Sequence, residues 1–212
     1  IVVSSATKHM LPVGAAPVAK GNGWLLRWRK SRAELPGWTQ RAAVPPEAIA
    51  IGLSVALRTF LQSGETEPEH HIATVGFVKF QGTDELMATL GPEAVADALD
   101  ALIRAVQDAA DTEGVTFLAT DIDPDGGKII LVAGVPGAQE DDEGRLLRVA
   151  RAINDYGGSL TLKIGINQGH VFTGDIGTSF RATYTVMGDT VNLAARLMAA
   201  ASPGQVLATP TV

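Results

Sequence analysis

The spacing of apolar residues separates an irregular first part of the chain from a regular remainder. Prolines and glycines interrupt the short apolar runs near the start, where residues 24–28 (WLLRW) are predicted to form one strand. Two prolines then precede apolar residues at helical spacing, which predicts a helix over residues 47–62. The polar stretch 63–71 is expected to be a solvated linker at the main domain boundary, with His70 and His71 exposed to solvent rather than bound to a metal.

From Ile72 the pattern becomes regular and predicts alternating strands and helices. The predicted elements are a strand over 72–80, a helix over 91–112, strands over 115–120 and 128–133, a helix over 141–155, a strand over 160–167, the strand and helix of residues 184–196, and a strand over 205–209. The segment 121–127 (DIDPDGG) is predicted to be a solvated hairpin turn, and the glycines from Gly169 to Gly177 a second turn. This order predicts an α/β fold, an α+β sandwich of ferredoxin-like type whose largely antiparallel sheet is flanked by helices.

Composition suggests a compartment and excludes several classes of protein. The 212 residues are 46% hydrophobic, enough for one compact domain with an extension. The chain has no cysteine, which rules out a disulfide scaffold and a thiolate metal site and fits the reducing cytoplasm. A net charge of -6 argues against a protein that binds nucleic-acid backbones. The longest apolar run, 48–57, is about half the roughly 20 residues that a transmembrane helix needs. We therefore expect a cytoplasmic location, no nucleic-acid partner and no membrane segment.

The most informative motif is YTVMGDTVNLAAR, residues 184–196, in which a strand passes through a Gly-Asp turn into a helix. Asn192 and Arg196 are four residues apart and are therefore expected on one face of that helix. The guanidinium of Arg196 offers a fork of donors that suits phosphate oxygens, and the amide of Asn192 both donates and accepts. The pair is suited to hold a phosphorylated ligand, although an isolated pair with this spacing is more often a surface hydrogen-bonding pair.

Together with the preceding LKIGINQGHVFTGDIG and the following ASPGQVLAT, this motif resembles the catalytic domain of the class III adenylyl and guanylyl cyclases over residues 72–212. The wider layout is similar to the second of two tandem cyclase domains in large bacterial proteins related to the soluble, bicarbonate-responsive adenylyl cyclases. The end of the chain, SPGQVLATPTV, also resembles its start, IVVSSATKHML. The resemblance implies that residues 1–44 are the tail of an upstream cyclase-like domain, residues 45–71 a helix and linker, and residues 72–212 the cyclase domain.

In that family two domains pair head to tail, and each active site lies at their interface. One wall carries two aspartates that bind two metal ions, and the facing wall carries the residues that hold the nucleotide. The resemblance implies that Asn192 orients the ribose and that Arg196 stabilises the charge on the α-phosphate while the 3′-oxygen attacks and pyrophosphate leaves. It places Thr185 where the purine is recognised, and it leaves Arg181 either to bind the triphosphate or to pair with an acidic neighbour.

Three features depart from the family pattern. Lys79 stands at the position of the first metal-binding aspartate, and an ammonium group cannot ligate Mg²⁺ or Mn²⁺. Asp121, Asp123 and Asp125 crowd the turn that would carry the second aspartate, and none fits the pattern well enough to be assigned as a ligand. The purine-contacting lysine is also missing from the strand over 115–120, so the choice between ATP and GTP stays open.

We therefore expect the catalytic half of a class III nucleotidyl cyclase, acting as an adenylyl cyclase that converts ATP to cyclic AMP and pyrophosphate in intracellular signalling. A second cyclase domain, in tandem or as a heterodimer, would bind Mg²⁺ or Mn²⁺ through its own aspartates, so this chain alone should be nearly inactive. The alternative is a non-catalytic regulatory pseudo-cyclase domain that binds a nucleotide or a small anion. A ferredoxin-like domain that contacts RNA is a third possibility, but the acidic charge and the 5% aromatic content argue against it.

Overall fold

The computed structural model describes residues 1–27, 45, 53–63, 69–178 and 181–212. The chain divides into two compact units, Ile1–Val44 and Pro45–Val212. The described part of the first unit contains α1 (Ser5–His9) and the short strands β1 (Val2–Val3), β2 (Val18–Lys20) and β3 (Gly23–Leu25). These strands pair antiparallel in the order β1-β3-β2. β3 contains the start of the strand predicted over 24–28, whose Trp28 lies outside the described residues. That this unit is the tail of an upstream domain stays a prediction.

The second unit is an α/β sandwich built on one large sheet. Its strands are β4 (Glu69–Gln81), β5 (Thr116–Asp123), β6 (Gly126–Ala133), β7 (Thr161–Thr178), β8 (Arg181–Met187) and β9 (Val206–Ala208). Its described helices are α2 (Val55–Ser63), α3 (Thr83–Leu90), α4 (Pro92–Glu113), α5 (Asp142–Asn154) and α6 (Asp189–Ala200). The strand order is β5-β6-β4-β7-β8 with antiparallel neighbours, and β9 pairs with β7 in parallel. The predicted α+β fold with a largely antiparallel sheet is confirmed.

The sheet is covered on both faces. One face packs against α4 and α5 around a core that includes Phe80, Leu102 and Leu146. The other face packs against α6, with Phe77 among its buried residues. The helix lies directly on β7 because Gly165 has no side chain, and a Cβ at that position would lie 2.0 Å from the backbone nitrogen of Met198. This close approach fixes where α6 can run.

Strand pairing between distant segments moves two boundaries away from their predicted positions. β4 begins at Glu69 because it pairs with β7 from that residue onward. The expectation that His70 and His71 lie in a linker is therefore wrong. β7 continues to Thr178 by pairing with β8, so the predicted glycine turn is part of a strand.

The hairpin between β5 and β6 is tighter than predicted. Asp123 pairs with Gly126, so that only Pro124 and Asp125 form the turn. Asp121 belongs to β5 and pairs with β6. The predicted hairpin between the two strands is confirmed, but the expected turn over the whole DIDPDGG segment is too long, because Asp121 and Asp123 are strand residues with fixed neighbours.

The predicted helices agree with the structure to different degrees. α4 follows the helix predicted over 91–112 to within one residue at each end. α2 corresponds to the end of the helix predicted over 47–62, and residues 47–52 of that prediction lie outside the described part. α3 was not predicted, since it is a short segment between two glycines, Gly82 and Gly91. In the described ranges, no helix has both the length and the apolar character needed to cross a membrane.

Candidate functional site

The helix α6 presents the two candidate ligand-binding side chains at its surface. Asn192 and Arg196 are both exposed and lie on one side of the helix, as their four-residue spacing requires. Among the described residues, neither side chain has a hydrogen-bond or ion-pair partner. Their donors are therefore available to a ligand. The helical placement agrees with the expectation from the motif, and the roles of the two residues stay predictions.

A buried polar network fixes the start of α6 against β7. Asn167 donates through Nδ2 to the carbonyl of Thr190 at 3.0 Å, and its Oδ1 accepts a hydrogen bond from the Thr209 hydroxyl at 2.8 Å. The Thr190 hydroxyl donates to the carbonyl of His170 at 2.8 Å. Asn167 is only 5% exposed, so its polar atoms depend on these partners. Asn167 was not among the predicted site residues, because polar residues such as Lys163 and His170 are frequent in β7 and no local signal distinguishes Asn167 from them.

The strand β8 leads into α6 through Gly188 and contains the other two candidate residues. Thr185 is half-buried and pairs with Gly174 of β7. Its neighbour Tyr184 points to the opposite face of the strand, where burial raises the pKa of the phenol. Arg181 is the first residue of β8, and its side chain lies outside the described part of the structure. The fold thus places Thr185 on the strand next to the helix of the other candidates.

The ammonium group of Lys79 is already paired. Its Nζ lies 3.1 Å from Oδ2 of Asp123, and the Lys79 side chain is only 16% exposed. This hydrogen bond holds the pKa of the Asp123 carboxyl below its ordinary value. Lys128 in turn lies 3.1 Å from Oδ2 of Asp121. The strand register places Lys128, Lys79 and Lys163 side by side on β6, β4 and β7, on the face that also packs against α6. We call these three residues the lysine row.

The residues around the lysine row do not fit a divalent cation. Mg²⁺ and Mn²⁺ take several oxygen ligands, whereas Asp121 and Asp123 are each paired with an ammonium group that would repel the ion. Asp125 is also occupied, because its Oδ1 accepts hydrogen bonds from the backbone N–H groups of Gly82 at 3.2 Å and Asp84 at 3.0 Å. In the part of the chain that the structure describes, no three acidic or histidine side chains come close enough together to hold a metal ion.

Comparison with known proteins gives consistent matches over the second unit. Residues 65–212 match the family model described as the adenylate and guanylate cyclase catalytic domain. An adenylate cyclase of Mycobacterium tuberculosis is 30% identical over 155 residues, which cover 66% of this chain and 34% of that protein. An uncharacterized protein of the same organism is 32% identical over 146 residues, which cover 66% of this chain and 26% of that protein. The matches thus span only about a quarter to a third of these relatives.

A solved structure shows the same fold. The crystal structure of the adenylyl cyclase CyaB from P. aeruginosa superposes with a TM-score of 0.62 at 26% sequence identity. The superposition covers 68% of this chain and 80% of the other chain.

Proposed function

The chain belongs to the family of class III adenylyl and guanylyl cyclase catalytic domains, and we propose that it converts ATP to cyclic AMP and pyrophosphate together with a second cyclase domain. One observation supports this more than any other. Asn192 and Arg196 are exposed without a described partner, on a helix that a buried network holds in place. Because the start of the helix is held in place, both side chains leave it from defined backbone positions, which suits residues that orient a ligand.

The proposed roles follow from the chemistry of these side chains. The ribose 3′-oxygen attacks the α-phosphorus, the bond from that phosphorus to the pyrophosphate oxygen breaks, and the hydroxyl proton leaves to solvent. Arg196 stabilises the negative charge that develops on the α-phosphate oxygens, and Asn192 holds the ribose so that its 3′-oxygen faces the phosphorus. This reaction consists mainly of positioning and charge stabilisation, so it needs no nucleophile from the protein.

Two residues of β8 are proposed to hold the ends of the substrate. The hydroxyl of Thr185 both donates and accepts, which suits the adenine amino group or a ring nitrogen. The described residues of β5 include no lysine to assist it, so we propose that Thr185 contacts the purine without a lysine from that strand. We assign Arg181 to the triphosphate. Cyclic AMP production from ATP would take place in the cytoplasm, where it would serve intracellular signalling.

The partner domain is proposed to supply what the lysine row lacks. Lys79 neutralises Asp123, so the Mg²⁺ or Mn²⁺ that cyclases of this family need would be bound mainly by aspartates of the partner. The partner is a second cyclase domain, either in tandem in one chain or as a separate subunit. A homodimer of this chain would carry Lys79 in both sites and should have little activity.

The test is complementation with a cyclase domain that keeps both metal-binding aspartates but lacks its own Asn and Arg. Cyclic AMP should form from ATP and Mn²⁺ only when both chains are present. Asn192→Ala and Arg196→Ala should each lower kcat by roughly a hundredfold or more. Arg151→Ala is the matched control, since Arg151 is exposed on α5 and pairs only with Asp155 among the described residues. Wild-type activity in Arg196→Ala would overturn the assignment.

A regulatory pseudo-cyclase domain is the second candidate function, and the ion pair of Lys79 with Asp123 favours it. Such a domain would bind a nucleotide or a small anion without turning it over. Equilibrium binding of ATP to the complex, combined with the absence of cyclic AMP in every mixture, would support this function instead. Binding that is lost in Arg196→Ala would locate the nucleotide on α6 in either case.

A further inference from the structure

A cavity of about 1040 Å³ lies between α2 and the sheet. Neither Asn192 nor Arg196 is among its lining residues, so it is separate from the proposed nucleotide site. Its size lies at the upper end of the range that small-molecule sites in proteins occupy. The side chains that matter for its chemistry are Phe60, Glu69, His71, Thr116, Thr173 and Tyr184.

Two aromatic rings form one side of this cavity. Phe60 of α2 and Tyr184 of β8 have ring centroids 5.1 Å apart with an interplanar angle of 51°. Aromatic rings provide a large, rigid contact surface, and their faces attract cations through the ring quadrupole. The helix and the sheet thus share an aromatic wall that suits a flat or positively charged ligand.

Three polar side chains of the cavity offer hydrogen-bond acceptors to a ligand. The Thr116 hydroxyl donates its proton to the carbonyl of Val135 at 2.5 Å, and the Thr173 hydroxyl donates to the carbonyl of Glu69 at 3.3 Å. Each hydroxyl has one proton, so only its lone pairs remain for a ligand. Oε2 of Glu69 lies 3.1 Å from Nε2 of His71. The Glu69 side chain is still 63% exposed, so its carboxylate can accept from a second donor. A ligand with N–H or O–H groups would therefore find these acceptors beside the donors that Gln139 and the Tyr184 hydroxyl supply.

The charges of the lining residues also favour a ligand that donates hydrogen bonds. None of the described lining residues is lysine or arginine, and Glu69 is the acidic residue among them. A phosphate or carboxylate ligand would find no cation there, whereas an ammonium or amidinium group would find a carboxylate and an aromatic wall. We propose that this cavity is a binding site for a small aromatic organic cation, which stacks on Phe60 and Tyr184 and donates hydrogen bonds to Glu69.

Three indoles that differ only in charge test the proposal directly. Tryptamine is a cation at neutral pH, tryptophol is neutral, and indole-3-acetate is an anion. Each is titrated into the isotope-labelled chain and followed by backbone amide shifts in NMR, with affinity from calorimetry. We expect tryptamine to bind with shifts at the lining residues of α2, β4 and β8, tryptophol to bind at least about tenfold more weakly, and indole-3-acetate not to bind.

Variants of the chain distinguish binding in this cavity from nonspecific binding. Glu69→Gln removes the charge and keeps the shape, and it should weaken tryptamine about tenfold or more. Glu85→Gln, an exposed glutamate on α3, is the matched control and should leave the affinity unchanged. Ala56→Phe should place a ring one helical turn from Phe60, where it obstructs the aromatic wall, and should weaken binding. The proposal is overturned if tryptamine does not bind at millimolar concentration, if the three indoles bind equally, or if Glu69→Gln binds like wild type. Because no nucleotide or cyclase partner is involved, these results are independent of the proposed cyclase activity.

Discussion

Replacing Asn167 by alanine removes the buried amide that joins β7, α6 and the segment after β9. Two hydrogen bonds are lost, one to the Thr190 carbonyl and one from the Thr209 hydroxyl. Each buried hydrogen bond contributes about 1 kcal/mol net, and a donor left without a partner would add to the loss. Thr209 keeps Thr211 Oγ1 as a neighbour at 2.9 Å, so this addition should be small. We therefore expect Asn167→Ala to lower the free energy of unfolding by about 2 kcal/mol.

The measurement is urea unfolding of the chain followed by far-UV circular dichroism. All three tryptophans, Trp24, Trp28 and Trp38, belong to the first unit, so tryptophan fluorescence does not report on the second unit directly. A loss of about 2 kcal/mol corresponds to a melting temperature lower by about 4–8 °C in a protein of this size. The variant should also have lower activity in the complementation assay. Asn167 does not touch the proposed substrate, but it positions α6, the helix that carries Asn192 and Arg196.

A double-mutant cycle assigns the effect to the network. Thr209→Val removes the same hydrogen bond from the other side, so it should lower stability by about 1 kcal/mol. The double variant should lose about 0.5–1 kcal/mol less than the sum of the single changes. Thr89→Val on α3 is the control and should change stability by less than about 0.5 kcal/mol, since Thr89 is exposed. A loss below about 0.5 kcal/mol in Asn167→Ala, or strict additivity with Thr209→Val, would refute the reasoning.

Three further changes test other parts of the structure. Gly165→Ala would put a methyl group 2.0 Å from the Met198 nitrogen and should lower stability by about 3 kcal/mol or more; Gly137→Ala, where a Cβ meets nothing within 4 Å, should leave unfolding nearly unchanged. Lys79→Met should destabilise the chain mainly above pH ~4, because the lowered pKa of Asp123 gives a stabilisation that is present above the unfolded-state pKa and is lost as the pH falls through the folded-state value. A difference from wild type that stays constant between acidic and neutral pH would contradict this. Arg145→Leu leaves Asp142 buried without its partner and should cost about 3–5 kcal/mol in urea unfolding. The exposed Arg148→Leu should cost less than about 1 kcal/mol, and equal losses in the two variants would argue against burial as the cause.

Elements held together by local contacts were predictable from the sequence. The periodic apolar residues of α4 and the Gly-Asp turn before α6 each depend on neighbours within a few positions, and both lie where the pattern predicts them. The first residues of β4 could not be found in this way. Glu69 joins the sheet by pairing with Thr173, a residue 104 positions later, and nothing in the local composition of the segment signals that partner.

In the candidate site, too, features set by local sequence were predictable and features set by distant partners were not. Asn192 and Arg196 stand in a compact motif, so their place on one helix followed from spacing alone. The ion pair of Lys79 with Asp123 joins residues 44 positions apart. It also depends on the turn of the hairpin being two residues long, whereas the glycine and aspartate content suggested a turn of seven residues. The role of Asn167 could not be predicted, because its partners come from two segments that only the folded chain brings together.

The lysine row has a consequence for any attempt to build a metal site into this sheet. An aspartate introduced at position 79 would leave Lys128 within 3.9 Å of Asp123, and Lys163 would face the new carboxylate across the strand pair. Both remaining ammonium groups would compete with a divalent cation for the same oxygens. One substitution is thus insufficient, because the charges of the neighbouring strands would have to change with it. The preference of this surface for anions over cations therefore belongs to three strands together and not to a single side chain.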